Sequence, residues 1–211
     1  MTVSDVLKNG FSIGIKNFFS LAGAVILYLL TIWVPYINVG TTIALYTLPA
    51  AMSRGEIISP TEIFDSKYRR NMGNFFLLSV FLSLGVFFGL LFLIIPGIVL
   101  MYAWSLAILL LVDKGLNPMQ ALNESNVRTY GHKLTIFLSY LILGILYFVL
   151  SSIIPLLSGG HMTSIFDLLS GAHYYNSSLL QTLFQILIML LYYPIQMGIT
   201  AEIYRKLCSD N

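Results

Sequence analysis

Four long stretches of this 211-residue chain, 17–53, 71–112, 134–166 and 168–201, contain no lysine, arginine, aspartate or glutamate. Charged residues make up only 9% of the whole and hydrophobic ones 57%, with a mean hydropathy of +0.85. A soluble domain carries roughly 25% charged residues and uses them to cover its surface. This chain cannot cover itself for water, so the charge-free stretches are read as membrane spans. A helical span needs about 20 apolar residues to cross a ~30 Å hydrocarbon core. The first two stretches are each long enough for two spans, and the last two each hold one span and part of an outer loop. Six spans follow, at about 18–34, 41–53, 74–95, 98–113, 134–155 and 178–202; the second and fourth are the shortest.

The distribution of positive charge gives an independent test, because cytoplasmic flanks of spans are enriched in lysine and arginine. With six spans, all 11 basic residues fall on one side: Lys8, Lys16, Arg54, Lys67, Arg69, Arg70, Lys114, Arg128, Lys133, Arg205 and Lys206. The opposite side keeps Asp167, His161 and His173. Both termini are therefore expected in the cytoplasm. A net charge of +2 is too small to indicate a nucleic-acid partner. No cleavable signal is expected, because the apolar run after Phe18 follows a charged amphipathic segment and continues straight into a second span. The single Cys208 supports no disulfide framework.

A repeat of about fifty-eight residues orders the spans. Ser59-Pro60-Thr61-Glu62-Ile63-Phe64-Asp65, ending in Arg70 and Gly73, aligns without gaps on Asn117-Pro118-Met119-Gln120-Ala121-Leu122-Asn123, ending in Arg128 and Gly131. A looser copy opens the chain, with Asp5-Val6-Leu7 in place of Glu62-Ile63-Phe64 and Asn17-Phe18-Phe19 in place of Asn74-Phe75-Phe76. Internal repetition of this kind defines architecture before any motif does. Each unit reads as one amphipathic helix followed by a membrane hairpin. The expected fold is thus all-α: a single polytopic membrane bundle over 1–211, in three pseudo-repeated units at about 1–56, 57–115 and 116–211. Ser59 and Asn117 are expected to cap their helices, with Glu62 and Gln120 closing capping boxes and Pro60 and Pro118 in the first helical position. Gly73 and Gly131 are the expected stops. Pro35, Pro96 and Pro155 mark the outer hairpin tips, with Trp33 and Tyr36 suited to an aromatic belt. Pro49 and Pro194 fall at matching places inside the second and sixth spans, as packing kinks or as breaks at a transport site.

The spans hold few reactive groups. Gln181, Gln185, Tyr192 and Gln196 recur at intervals of about one or two helical turns and share a face. That face is expected to point into the bundle, as interhelical hydrogen bonding or as the lining of a polar cavity. Gly85 and Gly89 form a small-xxx-small pair that permits close helix packing. Asp113 and Glu202 sit at span ends and are expected to pair with Lys114 or Arg205. His161, Asp167 and His173 share one outer loop, 156–177, but a metal site needs three or four convergent ligands, and no metal or other cofactor is expected. Ile165, Phe166, Leu168 and Leu169 instead suit a short helix on the outer surface. Signatures of hydrolases, nucleotide-binding loops, redox dithiols and zinc proteases are all absent from the sequence, and no catalytic residue is assigned.

From Ile94-Ile95-Pro96-Gly97-Ile98 through Asp113-Lys114-Gly115-Leu116-Asn117-Pro118-Met119-Gln120-Ala121-Leu122-Asn123-Glu124-Ser125 to Tyr130-Gly131-His132-Lys133, the chain resembles a family of six-span bacterial membrane proteins of unknown function. That family is similar to the membrane domain of glycerophosphodiester phosphodiesterases. The resemblance also takes in Gly40 to Phe64. It implies a helical bundle in a bacterial inner membrane and supplies no catalytic residue, since catalysis in those phosphodiesterases belongs to a separate soluble domain. The first expectation for function is a non-enzymatic membrane component that handles a hydrophobic or amphipathic solute or supports envelope homeostasis. The alternative is an accessory subunit that docks a protein partner, or a second copy of itself, through its cytoplasmic helices. A membrane-embedded enzyme ranks third. Membrane lipids are the one partner the composition requires.

Overall fold

The computed structural model describes residues 1–157 and 179–208, and every regular element among them is helical. The long helices are α1 (Val3–Lys16), α2 (Phe18–Thr31), α3 (Pro35–Ser53) and α5 (Met72–Phe92), then α6 (Ile94–Ala103), α7 (Ala107–Asp113), α8 (Pro118–Thr129), α9 (Lys133–Leu157) and α10 (Leu179–Cys208). Between α3 and α5 lie a 3₁₀ turn, Pro60–Phe64, and the short α4, Ser66–Arg70.

Four of these pass both length and apolarity for a membrane crossing: Met72–Phe92, Ile94–Asp113 (α6 and α7 together), Lys133–Ile153 and Thr182–Cys208. A fifth arises if α1 and α2, bent by 65° at a one-residue break, form one broken span. The first hairpin accounts for the difference from six. Its α2 has 14 residues, about 21 Å at 1.5 Å per residue, short of a ~30 Å core. Its α3 has 19 residues but carries Asn38, Thr41, Thr42 and Thr47, which dilute its hydropathy.

Burial concentrates at one end of the molecule. Along α2, α5 and α9 the buried positions lie in the opening half: Leu21 and Ala24; Phe75 and Leu78; Ile136, Ser139 and Leu143. Along α3 the closing turns are buried instead, as are Ala107 and 109–111 of α7 and Ile199 and 201–204 of α10. The far ends stay apolar and open: Trp33 is 88% exposed, Phe92 77% and Ile95 75%. Such an exposed apolar collar has no use in water and suits hydrocarbon.

The segments before the second and third hairpins turn back against an earlier crossing element, whereas α1 packs on the last helix. The 3₁₀ turn packs between α2 and α3, with the Pro60 ring over Gly23 and the Arg69 stem over Gly40. Helix α8 packs on the junction of α6 and α7. Helix α1 lies along the closing half of α10. There Gly10, Gly14 and Gly198 bring the two backbones together: a Cβ on Gly10 would stand 2.7 Å from the Ile199 Cα, and one on Gly198 would collide with the Gly10 carbonyl.

Several local expectations change. Ser59 does not cap; its hydroxyl pairs with Thr61, and Asp65 caps α4 by accepting from the Lys67 N–H at 2.9 Å. Asn117 forms the full capping box with Gln120. Gly131 takes a positive φ (+77°) after α8 as expected, but Gly73 sits inside α5, and the chain turns two residues earlier, at Asn71. Pro35 and Pro96 stand in the first turns of α3 and α6 rather than at helix ends, Pro49 and Pro194 lie inside α3 and α10, and Pro155 lies in the last turn of α9.

Candidate functional site

A groove of about 380 Å³ opens between α6 and α9, lined by Tyr102 of α6 and by Phe137, Tyr140, Leu141, Gly144, Ile145 and Phe148 of α9. The α9 residues recur at helical spacing and so make one continuous wall. Gly144 forms its floor: a Cβ there would meet nothing within 4 Å. At the lower end, Tyr102 stacks on Tyr140 at 6.5 Å between ring centroids and meets Phe137 edge-on at 5.5 Å. Below these rings α6 ends in a break at Trp104–Leu106. Backbone groups freed inside an apolar bundle must be satisfied locally, and α8 does so. Ser125 and Thr129 both donate to the Ala103 carbonyl, at 2.8 and 3.2 Å, and the Leu106 N–H donates to Ser125 Oγ at 3.2 Å. Asn126, on the same helix, accepts from Lys133 Nζ at 2.9 Å, and Lys133 is one helical turn before Phe137, where the groove wall begins.

The glutamine and tyrosine stripe backs this wall. Gln185 donates to the Ser151 carbonyl at 2.9 Å, and the Tyr192 ring meets Tyr147 at 4.6 Å. The Gln196 main-chain carbonyl accepts from Thr200 within α10, and it is the Thr200 hydroxyl that reaches α9, pairing with the Tyr140 hydroxyl at 2.7 Å. The described part of the stripe therefore ties α10 to α9, and Thr200 is one turn of it that sequence periodicity missed. Gln181 lies in α10, but its side chain is outside the described residues. Gly85 and Gly89 serve the other hairpin. Gly89 faces Gly97 across the α5–α6 contact, and Gly85 receives the Trp104 ring.

The buried end is tied by charges from three helices. Arg54 after α3 donates to Asp113 at 2.7 Å, and Asp113 also accepts from the Tyr204 hydroxyl at 2.7 Å. Burial opposes the charge on Arg54, but its hydrogen bonds to Asp113 and Glu56 outweigh that and hold the guanidinium above its ordinary range. Fully buried Glu202 pairs with Arg205, as expected, and accepts from Asn9 of α1 at 3.0 Å. Asp113, expected beside Lys114, takes its bonds from Arg54 and Tyr204 because the three helices end at one place.

Among the described residues no three histidine, cysteine or acidic side chains gather as metal ligands. His161, Asp167 and His173, with the proposed outer helix, lie outside the described residues. Comparison of the chain with protein-family models, with characterised proteins and with solved structures finds no match. The molecule is therefore defined by its class alone: a multi-pass helical membrane protein with four to five candidate spans.

Proposed function

We propose that this protein is a non-enzymatic component of a bacterial inner membrane that takes a hydrophobic or amphipathic solute from the plane of the bilayer. The groove between α6 and α9 carries the reading. It is apolar, it opens sideways between crossing helices, and its glycine floor leaves room for an occupant. The reading includes six spans in three repeated units, similar to the membrane domain of glycerophosphodiester phosphodiesterases, with both termini cytoplasmic. One observation supports the repeat. Arg54, Asp113 and Tyr204, at or near the ends of the second helix of each unit, meet in one cluster.

A photoreactive side chain at Leu141, activated in native membranes, tests it. Adducts of small apolar molecules should be enriched over those at Phe87, an exposed residue on the outside of α5. Identical adducts at both positions would rule the groove out as a site. The accessory-subunit reading keeps one observation in its favour: Met119, Val127 and Tyr130 leave an apolar surface on α8 and its C-terminal flank, 61–80% exposed. Protein adducts from Met119 would favour that reading.

A further inference from the structure

We infer that the occupant of the α6–α9 groove is one acyl chain of an anionic glycerophospholipid, whose phosphate is held by Lys133. The inference rests on the solute reading above and names its chemical class.

Length gives the first argument. The groove wall runs from Phe137 to Phe148, about 16 Å along the helix axis at 1.5 Å per residue. Half of a ~30 Å hydrocarbon core is ~15 Å. The groove therefore spans one leaflet, the one on the side where the basic residues gather, and matches a single lipid tail of that leaflet.

Charge gives the second. Lys133 is the first residue of α9, one turn below Phe137 on the same face, where the headgroup of a lipid in the groove would lie. Its ammonium is tied to the neutral Asn126 rather than to an acid. None of the ion pairs among the described residues involves it, and an ammonium carries three donors. Asn126 belongs to α8, the helix whose Ser125 and Thr129 bond the Ala103 carbonyl next to Tyr102, so the Lys133–Asn126 bond ties the start of α9 to the helix that braces the α6 side of the groove. A tail-sized slot with a cation at its polar end distinguishes this groove from the smaller void of about 60 Å³ between α9 and α10, which is apolar throughout.

The test is native mass spectrometry of the full chain, with phosphatidylglycerol and phosphatidylcholine of identical acyl chains offered in equal amounts. The wild-type protein should retain phosphatidylglycerol about fivefold over phosphatidylcholine, as expected for one lysine near a membrane surface. Lys133→Gln should abolish that preference while retaining bound lipid. Gly144→Leu, at a position with open space, should fold and lose both lipids; Leu141→Trp fills the groove from its exposed side and serves if Gly144→Leu does not fold. An unchanged preference in Lys133→Gln would overturn the anionic assignment and leave the solute reading standing. Full lipid retention in the filled-groove variants would overturn both. A dimer that disappears in those variants would mean that a second copy of the chain occupies the groove, and would overturn the lipid.

Discussion

At Gly10 and Gly14 the missing side chain has a measurable value. The α1 backbone touches that of α10 there, so Gly10→Leu should lower stability by about 1–3 kcal/mol, the usual cost of overpacking. Gly144→Ala, into open space, should change it by no more than about 0.5 kcal/mol. Thermal melting in one fixed detergent measures both, and equal losses would mean that the close α1–α10 contact is not there. Tyr68 gives a pH signature. It is 3% exposed, and its hydroxyl donates to Glu62 at 3.1 Å. Burial, and then the Glu62 charge, push its phenol up to about 12. An unfolded tyrosine loses its proton near pH 10. Stability tied to the neutral phenol is therefore complete below pH 10 and is lost as pH rises through 12. Alkaline unfolding followed by circular dichroism should be shallower over that window in Tyr68→Phe than in the wild type; parallel curves would refute the assignment. The small-xxx-small signature at Gly10 and Gly14 was as legible as that of Gly85 and Gly89. What that pair packs against is not legible, because it depends on which distant helix becomes the neighbour of α1.

Two segments with the same spelling behave differently as elements, and this marks where sequence reading stops. Asn117-Pro118-Met119-Gln120 opens a 12-residue helix with both capping bonds made. Ser59-Pro60-Thr61-Glu62 opens only a 3₁₀ turn, because Glu62 turns to Lys67 and Tyr68 and the extended Asp65 (φ −57°, ψ 135°) interrupts the helix. Those competing partners lie outside the motif and could not be read from it. Asn117→Ala should therefore cost about 1 kcal/mol, and Ser59→Ala much less, in the same melting assay. Equal losses would restore the equivalence that the sequence implied. The short spans tell a similar story. Charge-free length located the four stretches long and apolar enough to cross, but α2 ends after 14 residues, and no composition rule foresees the 65° bend at Asn17. The stripe on α10 was legible as a shared face; its partner helix and the groove in front of it were not, because both depend on which helices become neighbours.

For the whole molecule, topology is the quantity to measure. Single cysteines at Ser66, Met119 and Ser170, in a Cys208→Ser background, should react differently with an impermeant thiol reagent. Only the Ser170 site should label from the outer side of sealed vesicles, and labelling of Ser66 from outside would break the arrangement. The contact between α1 and α10 has a further consequence. The Asn9–Glu202 hydrogen bond joins residues 193 positions apart, so the fold closes through a contact very distant in sequence, the kind that forms slowly. On the ribosome α1 is made well before α10. While the intervening hairpins enter the bilayer, the glycine face of α1 has yet to meet the helix it fits. Nascent chains stalled before Pro194 should leave α1 open to protease, and chains released after Cys208 should protect it. Helix α1 is thus locked in place only once α10 has arrived, and whatever membrane factor attends the growing chain has α1 within reach until then.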